Sequence, residues 1–311
     1  MRKDDTPNQD RRHALECMLW GGSGLLWTVA GGVPRSSLLG TPEAHAQSAQ
    51  GGFSFVHISD THLGFNMAPN PDPTVTLQES LERAKSFRPA MMLHTGDVTH
   101  LSRPGEFDRA AQIINATGIE THYAPGEHDV VEDDGKDFFQ RFPQGARTGG
   151  FYSFDQAGVH FICLNNVTNL QAGKMGMIGA QQLHFLEQDL SARSASTPIV
   201  VFAHIPLWVV HEPWGWGTED SAQLLRLLAR FGSVTVLNGH IHQTMQKVEG
   251  HVAFHTGMST AFPQPAPGSR PSAGPIRDLP PGELRKLLGV NRVTRVQNQA
   301  ALAVVSSPLE G

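Results

Sequence analysis

Short apolar runs that stop at a turn carrying Asp, Glu or His recur along the chain, and helical spacings fill the gaps between them. Phe53 to Ile58 alternates as a strand does and stops at Ser59 and Asp60. After a Pro-rich loop from Pro69 to Pro73, Leu77, Leu81 and Ala84 keep helical spacing, with Thr76 as the expected N-cap. Ala90 to Leu93 reads as a buried strand ending at Thr95, Gly96 and Asp97. Phe107, Ala110, Ala111 and Ile114 mark a second helix face, and Glu120 to Ala124 a third strand. This β-α-β-α-β order predicts a parallel sheet with functional groups beyond the carboxyl ends of its strands. Phe151 to Phe154 and Val159 to Leu164 flank a turn at 155–158 and read as a hairpin. A helix over 181–190, strands at 199–202 and 234–237 with the helix 221–230 between them, and a hairpin about Gly250 complete a second half. The two halves predict two sheets packed face to face with helices outside. Residues 262–281 are a Pro/Gly-rich strap, followed by a short helix at 283–288 and an edge strand at 300–305.

Charge narrows the classes. The 311 residues carry a formal net charge of −5, without the basic footprint of a nucleic-acid polymer binder. A small anionic substrate then needs local attraction, which bound cations supply. The N-terminus resembles a twin-arginine export signal. Arg11 and Arg12 precede a Gly-studded apolar run from Leu15 to Val33, and Ala44, His45 and Ala46 form a cleavage pattern. Asp10, Ala14 and Glu16 depart from that signal, while Glu16 and five glycines make a poor spanning helix. The expectation is a signal over 1–46, passage through the twin-arginine translocation machinery, and a mature domain over 47–311 without stable membrane association. In a source with an outer membrane it would be periplasmic. Cys17 would leave with the signal, and Cys163 alone forms no internal disulfide.

Five clusters carry the candidate chemistry: Asp60 with His62, Gly96 with Asp97, Glu127-His128-Asp129, Ala203 with His204, and His240 with His242. Singly each is weak, since a His or Asp at a strand end is more often a turn or a satisfied core residue. Together they offer only N and O donors, which suits Zn, Mn or Fe. In their order and spacing, from Asp60 to His242, they resemble the blocks of the calcineurin-like metallophosphoesterases, over residues 53 to 256. The resemblance implies an α/β fold, a four-layer α/β/β/α sandwich of two mixed sheets with a dinuclear metal site at the strand ends. It assigns one divalent or trivalent metal ion (Mn, Fe or Zn) to Asp60, His62 and His242, and a second to Glu127, His204 and His240. Asp97 would bridge them, His128 would be the non-ligating catalytic imidazole, and Asp129 its orienting partner.

The implied function is hydrolysis of a small phosphate ester by a hydroxide bridging the metals, with His128 assisting. Two cations about 3.5–4 Å apart can clamp a phosphate for in-line attack. The aromatic loop from Trp208 to Trp216, with likeness to cyclic-nucleotide phosphodiesterase-like members, favours diesters. A phosphomonoesterase of the same fold and a non-catalytic metal- or ligand-binding relative are the alternatives. Glu127 is the departure, because the family normally has Asn there; a carboxylate adds negative charge and dampens Lewis acidity.

For substrate, Arg103 offers a bidentate phosphate contact, or is a solvated helix-entry residue. Trp214 and Trp216, in an aromatic loop directly after His204, offer stacking for a flat leaving group; a self-packed loop explains them equally. His94, His100 and Asn165 lie near strand ends on the same edge as candidate supports for the ligands.

Overall fold

The computed structural model describes residues 25–30, 33–38, 52–168, 170–171, 173–295 and 301–310. It divides into two units, residues 1–50 and 51–311. In the first, strand β1 (Leu25–Ala30) pairs antiparallel with β2 (Val33–Leu38). Arg11, Arg12 and the cleavage pattern at 44–46 lie outside the described residues. No helix among the described residues is long and apolar enough to cross a membrane.

The second unit opens with β3 (Ser54–Ile58), whose alternation explains the layering. Val56 and Ile58 face outward onto α1 (Pro73–Ser86), while Phe55 faces the other sheet. Asp72, not Thr76, caps α1: its carboxylate accepts the Thr74 N–H at 3.0 Å, and Pro73 occupies the first turn. Thr76 lies inside the helix, its hydroxyl donating to the Pro73 carbonyl. Strands β4 (Met92–His94) and β5 (Thr121–Tyr123) follow in parallel, joined by α2 (Pro104–Asn115). The sequence pattern did not reveal α3 (Lys136–Arg141), whose Phe138 packs with Phe142 against Phe107.

The hairpin of β6 (Tyr152–Gln156) and β7 (Val159–Cys163) starts the second sheet. After α4 (Gly179–Ser191) come β8 (Ile199–Phe202), α5 (Ser221–Leu228) and β9 (Val234–Asn238). A second hairpin, β10 (Gln246–Glu249) with β11 (Val252–Thr256), completes it. Past the strap, α6 (Leu284–Leu287) leads to β12 (Gly289–Arg295) and β13 (Leu302–Pro308). The expected last strand is indeed an edge. It borders β12, which the pattern missed and which pairs antiparallel with β3.

The strand orders are β10-β11-β9-β8-β7-β6 and β13-β12-β3-β4-β5, both mixed. Phe55, Leu93 and Val293 of one sheet meet Phe161, Val200 and Phe202 of the other in a central core. Helices α4 and α5 cover the outer face of the six-stranded sheet through Leu186, Leu190, Leu224 and Leu228. The α1–α3 helices cover the five-stranded one. Each fully buried Phe or Leu contributes on the order of 2 kcal/mol, so this stack of four layers is a firm base for the loops at its edge.

Candidate metal centre

Five parallel strands deliver the predicted clusters to one edge. Asp60 and His62 follow β3, Asp97 follows β4, Glu127 and His128 follow β5, His204 follows β8, and His240 with His242 follow β9. Backbone hydrogen bonds stitch these loops together: Asp60 N–H donates to Gly96 O at 3.0 Å, His62 N–H to Asp97 O at 2.9 Å, and Gly239 N–H to His204 O at 2.9 Å. Nine non-glycine residues among those described have positive φ, and five of them are Asp60, His62, Asp97, His240 and His242. Left-handed backbone at such residues costs about 1–3 kcal/mol each, which concentrates where function holds it in place. Two glycines are required by close approach. A Cβ on Gly126 would lie 2.1 Å from Asp97 Oδ1, and one on Gly239 would lie 1.9 Å from Ser59 Oγ.

Two donor groups result. In the first, His62 Nε2 and His242 Nε2 are 3.2 Å apart, with His242 Nε2 3.3 Å from Asp60 Oδ1. In the second, Glu127 places one oxygen 2.8 Å from His204 Nε2 and the other 2.9 Å from His240 Nδ1. Asp97 Oδ2 sits between, 3.5 Å from His62 Nε2 and 3.3 Å from His204 Nε2. Asp60, His62, Asp97, His204 and His242 are all buried.

The residues fit cations on an observation of their own. Glu127 Oε2, His204 Nε2 and His240 Nδ1 are buried yet make no hydrogen bond. Their short contacts, 2.8 and 2.9 Å, are not hydrogen bonds, so all three atoms are left without a partner. The distal nitrogens are held as ligand imidazoles require: His204 Nδ1–H donates to Thr95 O and His242 Nδ1–H to Phe262 O, each at 2.6 Å. Charge agrees. Burial would raise Asp60 and Glu127, but His242 and His204 beside the first, and His240 and His204 beside the second, hold both below the usual carboxylate range. Burial, with His128 and His242 nearby, pushes His62 well down and leaves it a neutral donor.

His128 stands beside the two groups. Its Nδ1–H donates to the His100 carbonyl at 2.7 Å and its backbone N–H to Asp97 Oδ1 at 2.9 Å. The first bond leaves the lone pair of a neutral ring on Nε2. Burial lowers its pKa, but Asp97 and Glu127 outweigh that and the net shift is upward. Asp129 is not its orienting partner. The Asp129 carboxylate instead accepts from Val98 N, Thr99 N, Thr99 Oγ1 and Gly126 N, between 2.9 and 3.1 Å, clamping the loop after β4 to the loop after β5. Burial and Asp97 push Asp129 up to about 7, against the pull of these donors.

Other expectations fare unevenly. Arg103 is the exposed N-cap of α2, its guanidinium 3.9 Å from Glu106, and the structure brings it to none of the donors. Trp216 is buried at 1% exposure, so the self-packed reading describes it: Val210 N–H and His211 N–H donate to its carbonyl and its ring meets Trp214 edge-on at 4.9 Å. Trp214 is half-buried, against His211 and Trp216. Asn165 shapes its own loop, accepting from Val167 N and Thr168 N. His94 accepts from Gly96 N and stacks on Tyr123. The strap does more than its composition indicated. Phe262 O orients His242 and Gln264 Nε2 donates to His240 O at 2.8 Å. The length of the strap was the only signal for these.

Glu127→Asn tests the unusual position. The shorter, neutral amide loses the reach to both imidazoles and one formal charge, so one metal is expected to bind about 10–100-fold more weakly, on the scale that ligand-supporting partners command. Metal titration with turnover checks it; no change in either would remove Glu127 from the site.

The sequence model of the calcineurin-like phosphoesterase family matches residues 53–244. The chain belongs to that family. The chain is 25% identical over 188 residues to a probable cyclic nucleotide phosphodiesterase of a Psychrobacter species, covering 58% of this chain and 54% of that one. It thus spans about half the length of that relative. It is 26% identical over 218 residues to a 3',5'-cyclic-nucleotide phosphodiesterase of a Nostoc species, covering 67% of this chain and 79% of the other. Among solved structures, a dimetal phosphatase from Danio rerio superposes with a TM-score of 0.59 at 14% identity, covering 83% of this chain and 96% of its counterpart. That likeness concerns the fold alone.

Proposed function

We propose that the chain hydrolyses small phosphate esters with two bound metal ions, and prefers diesters. The observation that carries the reading is the pair of three-residue donor groups with Asp97 Oδ2 between them. Asp60, His62 and His242 would hold one ion and Glu127, His204 and His240 the other, supplying Lewis acidity at the phosphoryl group and its attacking water. The chain's own residues do the rest. Asp97 fixes the His128 backbone, and the His100 carbonyl fixes the His128 tautomer with the proton on Nδ1 when the ring is neutral. When the ring is charged, Nε2 carries a second proton for a departing alkoxide. The preference for diesters is supported by the names of the curated relatives and by the exposed part of Trp214 as a stacking face.

Metal-loaded protein assayed against paired nitrophenyl mono- and diesters and a cyclic nucleotide tests this. Turnover highest on the diesters and lost on chelation is the expected result. Faster hydrolysis of monoesters would favour the phosphatase alternative. Full metal occupancy without turnover on any ester would leave only a binding protein.

A further inference from the structure

Each of the four ligand imidazoles must present one nitrogen to a cation and place the proton on the other. His204 and His242 do so through backbone carbonyls, Thr95 O and Phe262 O. His62 differs. The partner of its Nδ1 is a side chain, Nδ1 of His100, at 3.3 Å. With Nε2 of His62 turned to Asp97 and His242, its proton resides on Nδ1, so His100 Nδ1 must accept and His100 must carry its own proton on Nε2.

We propose that the His100 side chain is the positioning residue for His62, fixing its tautomer and ring plane for the metal held with Asp60 and His242. This rests on the metal assignment proposed above. His100 suits the task because it is held on several sides. Its ring stacks on His128 at 5.0 Å and 15° and meets Phe65 edge-on at 5.2 Å. Its backbone N–H donates to Leu63 O at 2.9 Å, and its own carbonyl takes the His128 proton at 2.7 Å. One residue thereby ties a ligand imidazole, through its ring, to the catalytic imidazole, through its backbone. A substitution removes the first link and keeps the second.

A crossed pair of variants separates the hydrogen bond from the stack. His100→Phe keeps an aromatic ring against His128 and removes the acceptor, whereas His100→Asn keeps an acceptor near the Nδ1 position and removes the ring. Calorimetric titration of the metal-free protein with Mn2+ is the readout, with His62→Ala marking which binding step belongs to His62. The expected result is that His100→Phe weakens that step alone by about 10–100-fold, the usual cost of losing a ligand's supporting partner. His100→Asn stays near wild type, and all metal-free variants melt together. Undiminished affinity in His100→Phe overturns the proposal, as does equal loss in both variants. If wild-type protein binds fewer than two ions, the metal assignment itself falls, which is a different outcome from two ions bound and His100→Phe unchanged.

Discussion

Asp97→Asn is expected to cut turnover by at least about a thousandfold and to lower metal content at both positions, since in the proposed assignment one group would serve both ions and the reacting centre. The reason is geometric. Asp97 Oδ2 lies 3.5 Å from His62 Nε2 and 3.3 Å from His204 Nε2, while Oδ1 accepts the His128 N–H at 2.9 Å. An amide cannot satisfy both sides. With its nitrogen in the Oδ1 place, two donors face each other; with its nitrogen in the Oδ2 place, a donor faces the space the imidazoles share. Asp97 is 1% exposed, so no solvent relieves either arrangement. Stability of the metal-free protein should fall, because either arrangement leaves a buried donor without an acceptor. Elemental analysis, melting and turnover on a diester check the three parts separately. Two ions per chain with turnover within tenfold of wild type would refute the shared role.

The same geometry explains what the sequence disclosed. Strand-end donors were legible because parallel strands are short apolar runs, and the turn after each must bring a side chain to the edge. Sheet layering followed from alternation, as in Phe55 facing inward between Val56 and the polar Ser54. Strand β12 was not legible: its Asn291 is buried through contact with His57 rather than through any apolar pattern. Nor was α3, which is only six residues long. Asp72 directly before Pro73 is a stronger N-cap signal in the sequence than Thr76.

In the site, residue types were readable and partners were not. Asp129 adjoins His128 in the chain, yet a 3-10 turn over Glu127–Asp129 sends its carboxylate back to Gly126, Val98 and Thr99. The true partner of His128 is a backbone carbonyl, which no residue type announces. Trp216 allowed both packing and stacking, and only burial distinguishes them.

His128→Ala is expected to lower turnover by about 10²–10⁴-fold, the usual worth of a positioned acid or base, while both ions stay bound. His128 belongs to neither of the two proposed donor groups, and its Nδ1–H is committed to His100 O. Its backbone N–H to Asp97 survives truncation, so the loop after β5 should keep its place. The loss should depend on the leaving group. A nitrophenolate departs without a proton, whereas a ribose alkoxide needs one, so the defect should be smaller on nitrophenyl esters than on a cyclic nucleotide. Comparing the two ratios distinguishes proton donation from charge stabilisation at the phosphoryl oxygens, which every ester would share. Equal loss on both would assign His128 to the phosphoryl group, and no loss on either would take it out of the reaction.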